Sequence, residues 1–270
     1  MSASSIFNDN RDVMAFVRIP KTGSTSFATI FQAAVGPERS EKLPDRRIDS
    51  WDMGLERTHD HLRRLGVRVM DGVKRLNGRL AGRRDSFAEA QFLHGHHPLW
   101  ALLPTSRSAH YVALVRDPID RFLSQYFCIR GKAEARPGGG SIEKRRVLEL
   151  EPVDFVQWLL ASPVQRRLNG QCLYLAPSGT LEDARSALEI KVLAVAPVTD
   201  LGELALVVSD VMGVPAPEVR HENISLNRPR QNPLGPRVEA RLRQALEPDI
   251  QLCDYVQENR DRLLDPQRLD

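Results

Sequence analysis

The stretch that decides the fold is VMAFVRIPKTGSTSFATIFQAAV, residues 13–35. Its first part, Val13–Ile19, is short, apolar and rich in β-branched residues, which is typical of a buried strand. Its last part, Ser24–Val35, places Phe27 and Phe31 on one face at helical spacing, which indicates a helix. The sequence therefore predicts a strand, a tight polar loop and a helix in immediate succession.

The polar loop between that strand and that helix, PKTGSTSF, has the composition of an anion-binding site. Lys21 supplies positive charge, and Gly23 allows a ligand to approach the backbone closely. Hydroxyl donors are added by Thr22, Ser24, Thr25 and Ser26. Backbone N–H groups and the helix dipole attract anions at a helix N-terminus, so the loop is a candidate anion site. The alternative is an ordinary capped helix start.

A second candidate anion site follows another predicted strand, His110–Arg116. Arg116 ends this strand, and open α/β sheets bind ligands at the carboxyl ends of their strands. Asp117-Pro118 then predicts a helix to about Arg130, because Asp is a good N-cap and Pro is favoured at the first helical position.

The spacing along this second helix separates a core face from a ligand face. Four apolar residues recur at helical spacing and predict the core face: Ile119, Phe122, Leu123 and Tyr126. Arg116 and Ser124 can then both point away from the core. The alternative is that Asp120 or Arg121 belongs to an ordinary ion pair on the helix surface.

Strands alternate with helices along the chain, with further strands predicted at Gln91–His96 and Lys191–Val198. This order predicts an α/β fold in which a doubly wound parallel sheet, like that of P-loop proteins, is flanked by helices. We expect one domain over residues 1–270, with an Arg-rich helical insertion at Glu38–Asp85 and a C-terminal helical region at Arg237–Asp270. Helices are also predicted at residues 152–161 and 200–212.

Composition excludes several classes of protein. With 41% apolar residues in 270, the chain is not disordered as a whole, and it has no run of 18 apolar residues that could span a bilayer. Three cysteines without CxxC spacing argue against a disulfide framework and a structural zinc site. The first residues do not read as a secretory signal, so a cytoplasmic location is expected; the alternative is a secretory compartment, if an anchor has been trimmed away. Oligomeric state is not predicted.

Although the net charge of the whole chain is only +3, one segment is strongly basic. Residues Arg57–Arg84 contain nine Lys or Arg against two acids, a local charge of +7. Such a patch concentrates anionic partners, and arginine forks suit sulfate, phosphate and carboxylate. The segment has no aromatic residue to stack on bases, so nucleic acid is not expected. The alternative is a solvated helical face.

Three of the seven histidines lie in FLHGHHP, residues 92–98. If residues 91–96 are extended, His94 and His96 share one face and His97 takes the other. No acid or Cys with ligand spacing accompanies them, so no metal is expected. Histidine has an ordinary pKa near neutral pH, which suits a general base. The alternative is that these are the polar ends of a strand.

Together, IPKTGSTSF and VRDPIDRFLSQYF resemble the PAPS-dependent sulfotransferases, PAPS being 3′-phosphoadenosine 5′-phosphosulfate. The first motif resembles their 5′-phosphosulfate loop, and the second resembles their 3′-phosphate segment. The likeness covers about residues 14–130, with scattered pieces such as NGQCLYL (169–175) and HENISLNRPR (221–230). Within the superfamily the chain looks most like the heparan and chondroitin uronyl 2-O-sulfotransferases, because their histidine motif is similar to His94-Gly95-His96.

This resemblance implies an O-sulfotransferase that moves a sulfuryl group from PAPS to a hydroxyl-bearing acceptor, with 3′,5′-ADP as product and no metal. The acceptor expected is a carbohydrate, which can be anionic. The residues that would hold the 5′-phosphosulfate are Lys21, Thr22, Gly23, Ser24, Thr25 and Ser26, and Arg116 and Ser124 would hold the 3′-phosphate. His96 would be the general base, His94 would orient it or bind acceptor, and Lys21 would stabilise the leaving oxygen.

Two other functions remain open on the sequence alone. A P-loop kinase needs the order GxxxxGK[ST], whereas here the Lys precedes the Gly by two residues. A non-catalytic module that binds anionic glycans would not need Lys21, His96 and Ser124 together. A later loop could also cover the nucleotide or be a solvated turn; its polar residues are Asn223, Ser225, Arg228 and Arg230.

Overall fold

The computed structural model describes residues 7–8, 11–43, 87, 89–101, 103, 105–135, 142–162, 168–218, 229 and 231–269. Within these ranges five strands form one parallel sheet in the order β2-β3-β1-β4-β5. The strands are β1 (Asp12–Val17), β2 (Ser40–Lys42), β3 (Phe92–Gly95), β4 (Ser108–Val115) and β5 (Val192–Pro197). Because β1 is central, the chain turns first towards β2 and later crosses to β4.

Helices cover both faces of this sheet. They are α1 (Ser24–Val35), α2 (Pro118–Ala135), α3 (Ile142–Glu149), α4 (Pro152–Leu160), α5 (Gly170–Leu175), α6 (Leu181–Lys191), α7 (Leu201–Met212), α8 (Pro236–Ala245), α9 (Glu247–Glu258) and α10 (Arg260–Leu264). Short 3₁₀ turns lie at Pro37–Arg39, Val198–Asp200 and Pro266–Leu269.

Alternation along β4 divides the core between the two faces. Val112 and Leu114 pack in a cluster with residues of α1 and α7. Ala113 and Val115 pack in the opposite cluster, which α5, α6, α9 and α10 complete. This is the alternation that a strand covered on both faces requires. A third cluster joins α2 to α3, α4 and α8 beside the sheet.

The doubly wound parallel sheet flanked by helices, predicted from the sequence, is confirmed. Helix α1 has the predicted bounds, and the strands begin or end one or two residues from their predicted positions. The C-terminal region is helical but divides into α8, α9 and α10. Pro248 lies in the first turn of α9, where proline begins a new helix because it cannot continue the preceding one.

Some features differ from the sequence predictions. Ser40–Lys42, placed in the Arg-rich helical insertion, forms the edge strand β2 instead. Helices α3, α5 and α6 were not predicted either, and all three supply core residues. Helix α2 also continues to Ala135, beyond its predicted end at about Arg130. The basic segment 57–84 and the rest of the insertion up to residue 86 lie outside the described residues, as does the loop 221–228. Among the described helices, none is long and apolar enough to cross a bilayer.

Ion pairs and hydrogen bonds, mostly from arginines, hold the C-terminal segment against the end of α6. Arg262 donates to both carboxylate oxygens of Glu189, at 2.6 and 2.8 Å. Arg268, whose side chain is buried, donates to the main-chain carbonyls of Leu188 and Val192. Tyr255 also donates to Glu189. These bonds join the chain end to the helix that leads into β5.

This cluster predicts an acid-dependent loss of stability. The hydrogen bond from Arg262, opposed in part by burial, lowers the pKa of Glu189 from its ordinary 4.5 to about 2. A carboxyl whose pKa is depressed by folding stabilises the protein fully above its unfolded pKa and loses that contribution as pH falls through the folded value. The difference in melting temperature between wild type and Glu189→Gln is therefore expected to be largest above pH 4.5 and to shrink towards pH 2.

The matched control is Glu182→Gln, at an exposed position in the first turn of the same helix. A melting-temperature difference between wild type and Glu189→Gln that stayed constant over this pH range would contradict the assignment.

Candidate active site

Residues from four neighbouring elements converge at the carboxyl edge of the sheet. Because the strands are parallel, this edge collects the residues that follow each strand: the loop from Arg18 after β1, His96 after β3, Arg116 after β4 and Val198 after β5. Open α/β sheets bind ligands in the crevice at this edge, where the strand order reverses. Here the reversal lies at β1.

The loop between β1 and α1 has a constrained backbone. Lys21 and Gly23 both adopt positive φ, of 68° and 73°. A left-handed conformation is costly for a residue with a Cβ, by about 1–2 kcal/mol. Such strain at Lys21 is typical of a functional loop. The buried Thr22 hydroxyl donates to the Ile19 carbonyl at 2.9 Å and closes the turn from within.

The N-terminus of α1 fits an anion. Its first intrahelical hydrogen bond runs from the Phe27 N–H to the Gly23 carbonyl, so earlier N–H groups have no helical partner. No acidic residue lies in the first turn, and no described side chain caps Gly23. Of the hydroxyl residues here, Thr25 is exposed, while Ser24 and Ser26 are each 3% exposed. The backbone and Thr25 therefore provide the accessible donors, and Thr22 supports the loop.

Arg116 joins the two predicted anion sites. Its Nη1 donates to the Lys21 carbonyl at 3.0 Å. Its Nε and Nη2 both lie 2.5 Å from Asp120 Oδ2, so Asp120 holds the edge of the guanidinium that does not contact Lys21. The helix-surface pair considered from the sequence is thus formed by Asp120 with Arg116, whereas Arg121 is buried and pairs with Asp249.

Helix α2 buries the face predicted for the core, and Ser124, predicted to point away from that core, is buried as well. The four predicted core residues are buried: Ile119, Phe122, Leu123 and Tyr126. Asp117 caps the helix, since its Oδ1 accepts the Asp120 N–H at 2.7 Å. Ser124 is 5% exposed, two turns along α2. The described contacts show no bond from Ser124 to Lys21 or Arg116, so its role at the 3′-phosphate stays a prediction.

The two histidines predicted to act together both contact Arg18. His96 Nδ1 lies 2.6 Å from the Arg18 carbonyl oxygen, and His94 Nδ1 lies 3.4 Å from Arg18 Nη1. Arg18 Nη2 also donates to the Thr25 hydroxyl at 3.2 Å. Arg18 therefore links His94, in β3, and His96, just after it, to the first turn of α1. His97 bonds elsewhere, to the Pro98 carbonyl.

The partner of His96 fixes its tautomer. A carbonyl oxygen can only accept, so His96 Nδ1 carries the proton that it donates to Arg18. In the neutral imidazole, the lone pair then resides on Nε2. A histidine oriented in this way is equipped to accept a proton at Nε2. Among the described residues, no three His, Cys, Asp or Glu side chains cluster as metal ligands.

The sequence predictions missed Arg18 and Asp120 as parts of the site. Arg18 follows β1 directly, so the criterion that identified Arg116, a cation at the carboxyl end of a strand, could have found it. Asp120 was noted only as a member of a surface pair. The polar loop containing Asn223, Ser225 and Arg228 lies outside the described residues, and so does Arg230.

These features define a class of protein, the parallel α/β proteins whose β1–α1 loop lies beside the end of β4 and could hold an anion there. A family model described as the sulfotransferase family matches residues 4–169, more than half of the chain. The chain belongs to the sulfotransferase family. It is therefore a sulfuryl-transferring enzyme, and the family implies a PAPS co-substrate and a hydroxyl-bearing acceptor. No curated protein matches the chain significantly.

Gly23 provides a test of the loop geometry. A Cβ at this position would lie 2.6 Å from Val198 Cγ2, and φ is positive. We expect Gly23→Ala to lower the free energy of unfolding by roughly 2–4 kcal/mol, from left-handed strain and overpacking. Urea-induced unfolding of wild type and variant measures this difference in the free energy of unfolding.

In the companion variant Gly23→Ala/Val198→Ala, the clash is relieved while the strain remains. The double variant should therefore be less destabilised than the sum of the two single changes. Strict additivity would show that Gly23 does not pack on Val198.

Proposed function

We propose that this sulfotransferase transfers the sulfuryl group of PAPS to a carbohydrate hydroxyl, with His96 as the general base. The observation that carries the proposal is the 3.0 Å hydrogen bond from Arg116 Nη1 to the Lys21 carbonyl. It brings the loop suited to a 5′-phosphosulfate next to the strand end suited to a 3′-phosphate. One nucleotide with two separated anionic groups fits such a pair of sites.

The residues present fit this donor. The first-turn amides of α1, the Thr25 hydroxyl and Lys21 would hold the 5′-phosphosulfate, with Thr22, Ser24 and Ser26 supporting the same turn. The Arg116 fork and the Ser124 hydroxyl would hold the 3′-phosphate. Arginine suits this task because its planar donors match phosphate oxygens. Asp120 already uses two of those donors, so it sets the direction in which the remaining N–H groups point.

In the proposed reaction, the acceptor oxygen attacks sulfur in line with the bond to the 5′-phosphate oxygen. The new oxygen–sulfur bond forms as the old one breaks, and 3′,5′-ADP leaves. The acceptor proton passes to His96 Nε2, the nitrogen that carries the lone pair when Nδ1 donates to Arg18. Lys21 stabilises the negative charge that grows on the departing oxygen, an electrostatic contribution to catalysis.

His94 and Arg18 are suited to the acceptor side. Arg18 is half-buried, and its guanidinium contacts both His94 and Thr25. A cation at this position favours an acceptor with negative charge near its reacting hydroxyl. The basic segment 57–84 of the sequence and the likeness to uronyl sulfotransferases support the same choice, an anionic carbohydrate.

The nucleotide preference separates this proposal from a kinase. By isothermal titration, 3′,5′-ADP is expected to bind without added metal, and at least tenfold more tightly than 5′-AMP, because the 3′-phosphate gains charged hydrogen bonds of about 1.5–3 kcal/mol. ATP with Mg²⁺ is the comparison ligand. Tight ATP binding with indifference to a 3′-phosphate would overturn the proposal.

His96 provides the test of the general base. His96→Ala should lower turnover by about 10²–10⁴-fold and leave 3′,5′-ADP affinity nearly unchanged. His96→Asn is the matched variant, since its side-chain amide can donate to the Arg18 carbonyl but cannot act as a base; we expect the same loss. Turnover is measured with labelled PAPS and a panel of glycan acceptors.

His110→Ala is the control, because His110 pairs with Asp12 at the opposite end of the sheet. In contrast with His96→Ala, Lys21→Ala should lower both turnover and 3′,5′-ADP affinity. If His96→Asn kept normal turnover, His96 would orient the site rather than accept the proton.

A further inference from the structure

The main chain of Arg116 is held by a side chain from a distant part of the sequence. Gln171 Oε1 accepts the Arg116 N–H at 2.9 Å, and Gln171 Nε2 donates to the Arg116 carbonyl at 2.9 Å. The side-chain amide of Gln171 thus makes both of the bonds that a neighbouring strand would make. Gln171 has no exposed surface, so these bonds are shielded from water.

This pairing occurs where the sheet has ended. The register of β4 with β5 ends at Val115 and Pro197, and its register with β1 ends at Ala113 and Val17. Arg116 therefore lies beyond both ladders, and the main-chain hydrogen bonds described for it are made by side chains. Cys253 adds to them, since its Sγ donates to the Arg116 carbonyl at 3.1 Å. Burial raises the pKa of Cys253 to about 12, which keeps the thiol a donor at neutral pH.

Gln171 is itself fixed by a buried charge. Asp249 accepts the N–H groups of Gln171 and Cys172, at 3.0 and 2.8 Å, and so caps the first turn of α5. Asp249 also lies 3.6 Å from Arg121 Nη2, and both side chains are almost completely buried. Arg121 donates in addition to the Leu168 carbonyl. Removing either charge would leave the other buried and uncompensated.

These contacts form a chain of bonds from the interior to the ligand site. Asp249 fixes Gln171, Gln171 fixes the backbone of Arg116, and the Arg116 guanidinium contacts the Lys21 carbonyl. Helices α9 and α5 contribute Asp249 and Gln171 to this chain, and Arg116 follows strand β4 directly. A small displacement of a binding group weakens its interactions strongly, so a group beyond the sheet needs such support.

We propose that Gln171 is a positioning residue for the nucleotide site, which sets Arg116 between the Lys21 carbonyl and the 3′-phosphate of the donor. This inference rests on the proposed function. It assigns a role in donor recognition to a residue that touches no part of the ligand. Gln171 acts through Arg116 alone, so its effect should vanish when the Arg116 side chain is removed.

The test is a double-mutant cycle on 3′,5′-ADP affinity, measured by ligand-observed NMR so that weak binding can be followed. Gln171→Met keeps the side-chain length but makes neither bond to Arg116. We expect it to weaken binding about tenfold in the wild-type background, a loss of ~1.4 kcal/mol, which lies within the range of couplings found inside one hydrogen-bond network. In the Arg116→Ala background the same change should weaken binding less than twofold.

Val208→Ala is the control for a loss of stability alone. Val208 is fully buried on α7, in the core cluster on the other face of the sheet from α5 and α9. It should lower the melting temperature and leave the affinity unchanged. If Gln171→Met does not fold, Gln171→Glu replaces it, since it keeps the size of the side chain and the oxygen that accepts from Arg116. Its loss of affinity should likewise be absent in the Arg116→Ala background.

Equal losses in both backgrounds, or no loss in either, would overturn the role of Gln171. Those outcomes differ from a failure of the proposed function, in which wild type itself would not distinguish 3′,5′-ADP from 5′-AMP.

Discussion

The site depends on a single hydrogen bond that crosses between two strands, from the Arg116 guanidinium to the Lys21 carbonyl. Lys21 has a left-handed backbone, which is unfavourable for a residue with a Cβ. A charged donor on its carbonyl offsets part of that cost, and the Thr22 hydroxyl holds the same turn from inside. The loop is therefore held in one conformation without a ligand, which would reduce the ordering cost of the anion binding proposed for it.

Each charge around Arg116 is compensated by an opposite charge at a similar depth. Asp120 is half-exposed and compensates the guanidinium near solvent, whereas Asp249 and Arg121 compensate each other inside the protein. Burial raises the pKa of Asp249, and the positive charge of Arg121 opposes that shift. A buried pair of this kind contributes little to stability by itself. In the role proposed for it, the pair holds Gln171 in place, and Gln171 in turn holds the main chain of Arg116.

Elements that are encoded by a local pattern of apolar and polar residues could be predicted from the sequence. Helix α1 matched its predicted bounds because Gly23 and Gly36 flank a clear apolar period. Strand β2 was missed because an edge strand of three residues, Ser-Glu-Lys, has no apolar alternation. The bond between Gln171 and Arg116 joins residues 55 positions apart, and no periodicity or spacing rule reports such a contact. Strand-end residues were predictable as a class, but their partners were not.

Strand order then determines how the chemical roles are divided. Strand β1 lies between β3 and β4, so its loop lies between the histidines at the end of β3 and the arginine that follows β4. Arg18 contacts His94 and His96, on the β3 side of this loop. Lys21, three residues later, accepts a hydrogen bond at its carbonyl from Arg116, on the β4 side. In the proposed function, a donor bound between β1 and β4 would thus present its reacting end towards β3, the side on which the proposed base, His96, lies.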